Sequence, residues 1–79
     1  MTIRVAIYIF PEVEVLDFAG PFEVFTTATR VHTRRNPGSA PLFETFTVAK
    51  SSTPVRARAG MRAVPDHTLE TAPAPDILV

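Results

Sequence analysis

Ile3-Arg4-Val5-Ala6-Ile7-Tyr8-Ile9-Phe10 is apolar throughout except at Arg4, and it is rich in β-branched and aromatic residues. A strand with one face in water alternates apolar with polar residues. This one does not, so it belongs in a parallel sheet covered by helices, where both faces are buried. Pro11 has no amide proton to continue a ladder and ends the strand. The demand is severe for a chain of 79 residues. A domain of that size buries only about 60% of the surface its unfolded chain exposes.

The rest of the chain fits around such a strand. Pro11 to Leu16 is a short connection at the strand's carboxyl end. Asp17 to about Thr33 predicts a helix: Phe18, Pro21, Phe22, Phe25 and Ala28 share one stripe, while Glu23, Thr26, Thr27 and Arg30 face away. Proline is tolerated in the first helical turn, so the helix is expected to begin between Asp17 and Pro21, with the Asp17 carboxylate as its cap. Arg34 to Pro41 is a turn-rich linker and Leu42 to Ala49 a second strand. Val55 to Val64, with Gly60 in its middle, predicts a hairpin. Asp66 is expected to cap one helical turn over Thr68 to Ala72. Pro73-Ala74-Pro75 then resets the chain before a further apolar strand, Asp76-Ile77-Leu78-Val79. Strand, helix, strand, hairpin, short helix, strand is the order of an α/β layered fold with a parallel sheet. The last strand has no turn or cap after it. The expectation is therefore that residues 1–79 are the amino-terminal portion of a single larger domain.

Charge and composition exclude several function classes. Lys and Arg number 8, as do Asp and Glu, so the formal net charge is zero. That lacks the basic footprint of a dedicated nucleic-acid binder. No apolar run approaches the ~20 residues that span a bilayer. The first residues lead directly into a strand without a signal-peptide pattern, which points to a cytoplasmic protein. Cysteine is absent, so these residues supply no disulfide, thiolate nucleophile or cysteine metal site. His32 and His67 have no partner at a ligand spacing, and no metal site is expected. Three widely spaced glycines make no phosphate-cradling loop. Ser51 and Ser52 lie in a turn, outside any nucleophile-elbow context.

Asp17 is the sharpest candidate for chemistry. It follows the first strand near a helix N-terminus, and ligands of open α/β sheets bind outside the carboxyl ends of strands. An acid there can move a proton or orient a nucleophile, and it can equally be a helix cap. Glu12 and Glu14 flank the same turn, either as further carboxylates or as a solvated loop. Arg30, Arg34 and Arg35 cluster as a phosphate site or a solvated helix end. Arg56, Arg58 and Arg62 project from the hairpin as a polar rim, a dimer contact or a ligand contact.

Val5-Ala6-Ile7-Tyr8-Ile9-Phe10-Pro11 followed by Val15-Leu16-Asp17-Phe18-Ala19-Gly20-Pro21-Phe22-Glu23-Val24-Phe25 resembles the amino-terminal motif of the ThiJ/PfpI superfamily. The resemblance is strongest to the branch that holds isonitrile hydratases and the amidase-like sensor domains of AraC-type regulators. Pro54-Val55-Arg56, Gly60-Met61 and Asp76-Ile77-Leu78-Val79 fit the same branch. The resemblance covers essentially the whole chain, and Leu-Asp-x-x-Gly-Pro is its most specific element.

The resemblance implies a flavodoxin-like three-layer sandwich, a homodimer, a small-molecule substrate or ligand, and no cofactor or metal. It implies that Asp17 is the acid that hydrogen-bonds a catalytic cysteine, and that Gly20 contributes backbone near the pocket. That cysteine would follow the strand that begins at Asp76. Ala19 stands where relatives carry Thr, which removes a hydroxyl from the hydratase pattern. The implied activities are addition of water to an isonitrile, ligand sensing ahead of a helix-turn-helix module that would contact DNA, or a non-catalytic stress-response role.

Overall fold

β1 (Ile3–Tyr8) hydrogen-bonds to a parallel neighbour on each side. On one edge it pairs with β2 (Phe43–Ala49), from Ile3 opposite Phe43 to Tyr8 opposite Val48. On the other edge it pairs with β6 (Ile77–Leu78), Val5 opposite Ile77 and Ala6 opposite Leu78. β5 (His67–Thr68) adds to the far side of β2, also parallel, giving the order β5-β2-β1-β6. α1 (Val15–Arg35) makes the crossover from β1 to β2. β3 (Val55–Arg56) and β4 (Arg62–Ala63) form a separate antiparallel ribbon around a short helical turn, Arg58–Gly60. The computed structural model describes residues 1–79 and has the α/β architecture with a parallel sheet that the sequence predicts.

The unbroken apolarity of β1 is explained by what covers it. Val5, Ile7 and Ile9 face α1 and pack with Val13, Phe18, Ala49, Val55 and Ala57. Ala6 turns to the opposite face with Phe46 and Val48, where Tyr8 and Ala72 close over them. Val5, Ile7 and Ile9 are at most 1% exposed. Full burial of each such side chain is worth about 1.5–3 kcal/mol, so β1 and Ile9 just beyond it carry much of the core.

Three local expectations are corrected. Asp17 is not the helix cap. α1 begins at Val15, its cap position is Glu14, and no side chain bonds the free amides there. Pro21 consequently sits inside the helix and not in its first turn. A proline there removes one hydrogen bond, the one to the Asp17 carbonyl. Asp17 is exposed, so water can serve that carbonyl instead. Gly20, without a Cβ, relieves the crowding that proline imposes on the residue before it. At its other end α1 runs on through Arg34 and Arg35, past the expected end near Thr33, and closes with the Asn36 backbone N–H and Nδ2 both donating to the His32 carbonyl at 2.9 and 3.0 Å.

Asp66 is likewise not the cap of the Thr68–Ala72 turn. Its carboxylate accepts the Thr47 N–H at 2.9 Å, while its own N–H donates to Thr47 Oγ1 at 3.0 Å. That clasp fastens the chain to β2 and makes His67–Thr68 a strand, which their composition does not announce. Thr68 takes over the turn: its Oγ1 accepts the Thr71 N–H at 3.2 Å, and its carbonyl accepts the Ala72 N–H at 2.9 Å. The predicted short helix is therefore one hydrogen-bonded turn. Asp76 repeats the clasp on β1, accepting the Arg4 N–H at 2.9 Å and donating its own N–H to the Arg4 carbonyl at 2.8 Å.

Two substitutions test this packing by urea denaturation. Asp66→Ala strips the clasp from the Thr47 amide and should destabilise the protein by about 1–2 kcal/mol. Thr45 Oγ1 is buried without a hydrogen-bond partner. Thr45→Val exchanges that unpaired hydroxyl for a methyl of similar shape and should stabilise by about 1 kcal/mol.

Candidate functional site

The chain leaves β1 through a tightly tied loop. The Val13 N–H donates to the Phe10 carbonyl at 3.0 Å, and Glu12 between them has φ 72°, a left-handed conformation uncommon outside glycine. Two backbone bonds join this loop to the hairpin: Glu12 N–H to the Arg56 carbonyl at 2.9 Å, and Arg58 N–H to the Val13 carbonyl at 3.0 Å. Arg58 Nη1 also meets Glu14 Oε1 at 2.8 Å. Val13 and Ala57 are buried at this junction. Glu14 therefore fastens loop to hairpin, and Glu12 shapes the turn.

β6 brings a second chain segment to the same end of the sheet. Tyr8 N–H donates to the Val79 carbonyl at 3.1 Å, and Val79 N–H donates to the Ala6 carbonyl at 2.9 Å. From β1 the chain passes by α1 to β2 on one side, and β6 later returns to the other side. The strand order thus reverses at β1. Outside the carboxyl ends of the strands at such a reversal is where open α/β sheets hold ligands.

Asp17 occupies the first turn of α1, which a short loop joins to the carboxyl end of β1. It is exposed, and its carboxylate has no hydrogen bond or ion pair within the chain. The amino end of the helix favours a negative charge there. Gly20 is half-buried one turn further on, and a Cβ built on it would meet nothing within 4 Å. Neither residue lines any of the three clefts in the surface.

The first cleft, about 600 Å³, lies between the carboxyl ends of β1 and β2 and is walled by Tyr8, Phe10, Lys50 and Arg56. The second, about 700 Å³, opens at the amino ends around Arg4, Glu44 and Asp76. The third, about 370 Å³, lies under α1 against Phe18, Phe22 and Val64.

The other candidates scatter. Arg30 pairs with Glu23 at 3.5 Å and with Thr27 Oγ1 at 3.0 Å. Arg34 and Arg35 are exposed at the far end of α1. That is about 26 Å from Asp17 at 1.5 Å per helical residue. His32 lies in the last turn of α1, and His67 packs edge-on against Phe46. No three His, Asp or Glu side chains come together. The first cleft is the feature that sequence reasoning missed. Its signal was Lys50 immediately after the second strand, which becomes meaningful only once the β1–β2 register sets it near Tyr8.

No family model matches the chain, and no curated protein does. A solved structure of a "putative transcriptional regulator protein" from Vibrio parahaemolyticus matches 99% of this chain with a TM-score of 0.72 and 19% identity. The chain spans 38% of the length of that protein. At that identity the likeness establishes a shared α/β fold.

Since no cap bond is lost, Asp17→Asn should move the unfolding free energy by less than about 1 kcal/mol, the scale of a charge at a helix end. Thermal denaturation monitored by circular dichroism measures it.

Proposed function

We propose that the chain forms part of the ligand-sensing α/β domain of a transcription regulator, in the amidase-like branch of the ThiJ/PfpI superfamily. The observation that carries this reading is the match along 99% of the chain to the Vibrio parahaemolyticus protein. In this reading a small molecule sits at the mouth outside β1 and β6. Asp17 contacts it there, and Gly20 allows its close approach to α1. The domain works as a dimer in the cytoplasm. DNA is contacted by helix-turn-helix units elsewhere in the protein, which agrees with the absence of net positive charge in residues 1–79. Ligand binding changes DNA affinity to the extent that the ligand prefers one of two states. No metal or cofactor enters the reading.

A second reading is favoured by the free carboxylate of Asp17 within Leu16-Asp17-Phe18-Ala19-Gly20-Pro21. Here the domain adds water to an isonitrile. The water oxygen bonds to the terminal carbon of R–N≡C, and its two protons end on carbon and nitrogen, giving R–NH–CHO. Asp17 would carry one of those protons. Residues 1–79 contain no thiol, so they should give no turnover by themselves.

The complete reading frame and two assays separate the readings. The regulator reading expects helix-turn-helix sequence in the frame and binding of the protein to its own upstream DNA by fluorescence anisotropy. It also expects no formamide from cyclohexyl isonitrile by proton NMR. Formamide production without DNA binding would replace it with the second reading, in which Asp17→Asn loses most turnover and stays folded.

A further inference from the structure

We propose that the cleft between the carboxyl ends of β1 and β2 is a binding site for a small aromatic carboxylate. The proposal does not depend on the function assigned to Asp17, which lies outside this cleft.

Charge is the first argument. Lys50 and Arg56 line the cleft, and no acidic residue does. The ion pairs of the chain are Arg4–Glu44, Arg30–Glu23 and Arg58–Glu14, which leaves both cleft cations without a carboxylate partner. Arg56 also stands directly opposite Arg62 in the β3–β4 ladder. Like charges placed opposite each other across a ladder repel, and a bound anion relieves that repulsion.

The second argument is that the backbone of Arg56 is held in place. Its backbone carbonyl is fixed by the Glu12 N–H, and its guanidinium lies over Gly60. Nη2 is 3.3 Å from where a Cβ on Gly60 would stand. Gly60, at φ +99°, thus both permits the turn and leaves room for the cation. Guanidinium suits a carboxylate because its planar fork can donate two parallel hydrogen bonds.

The third argument is shape. The floor is apolar, built on buried Ile9, Ala49 and Val55. The rings of Tyr8 and Phe10 stack beside it with centroids 5.9 Å apart and planes 25° apart. A bare inorganic anion would leave these surfaces wet, and a neutral hydrocarbon would leave the cations unpaired. A planar ring bearing one carboxylate satisfies both. The cleft, about 600 Å³, falls within the usual range for small-molecule sites.

The test is a fluorine NMR titration of the full-length protein with 4-fluorobenzoate. Tyr8 is the single tyrosine of the chain and there is no tryptophan, so substituting Tyr8 removes one defined wall. Saturable binding with a Kd of about 1 mM or tighter is expected, with acetate, inorganic phosphate and fluorobenzene each binding at least about tenfold more weakly. Lys50→Gln and Arg56→Gln should each weaken 4-fluorobenzoate about tenfold, and Tyr8→Leu by a smaller factor, without change in the circular dichroism spectrum. Absence of saturable binding to the wild-type protein would overturn the proposal. So would unchanged affinity in the Lys50→Gln, Arg56→Gln double variant, or phosphate binding as tightly as 4-fluorobenzoate.

Discussion

The bonding of β1 on both edges, together with its burial on both faces, is the constraint from which the other features follow. A strand so placed cannot tolerate a polar residue in its interior, and Val5 to Ile9 contain none apart from the half-buried Tyr8. Its neighbours are less self-sufficient. β5 and β6 are two residues each, too short for their ladder bonds alone to hold them against the entropy of ordering the chain. Each is anchored by an aspartate one residue before it. Asp66 accepts a β2 amide, and Asp76 accepts a β1 amide. Charge-assisted bonds of this type are stronger than ordinary ladder bonds. The outer strands thus depend on side-chain clasps, while the inner pair depends on burial.

That difference decides what was legible in the sequence. β1 could be recognised from its continuous apolarity, and the β3–β4 ribbon from Gly60 between Val55 and Val64. Both signals are local. β5 was invisible because His67–Thr68 has no strand character of its own. What makes it a strand is Thr47, far back in the chain. The same distant partner explains why Asp66 was misassigned: a helix cap is what an aspartate does locally, and β2 supplied a better amide. The error at α1 had another origin. The rule that proline belongs in a first turn moved the expected start toward Pro21, whereas Gly20 before it and exposed Asp17 let the helix run through.

Asp17 was legible as a residue near the start of the helix, which holds it in the first turn and not at the cap. The cleft at Lys50 and Arg56 was not legible, because Tyr8, Lys50 and Arg56 come together only through the β1–β2 register and the return of the hairpin to the Pro11–Glu14 loop. A site assembled from two strand ends and a ribbon leaves no spacing pattern in the chain.

The mouth also carries backbone strain that its surroundings must hold. Glu12 at φ 72° and Ala59 at φ 67° both occupy the left-handed region without being glycine, at a cost of order 1–2 kcal/mol each. They lie on the two segments joined by the Glu12–Arg56 and Arg58–Val13 backbone bonds. Val13, 3% exposed, and Ala57, fully buried, lie at that junction. Burial on the helix-facing side of β1 therefore offsets strain at its carboxyl end. A loop over-determined in this way does not need a ligand to order it. The backbone at Arg56 is fixed before binding by the Glu12 N–H, so less of a ligand's interaction energy is lost to ordering the chain there.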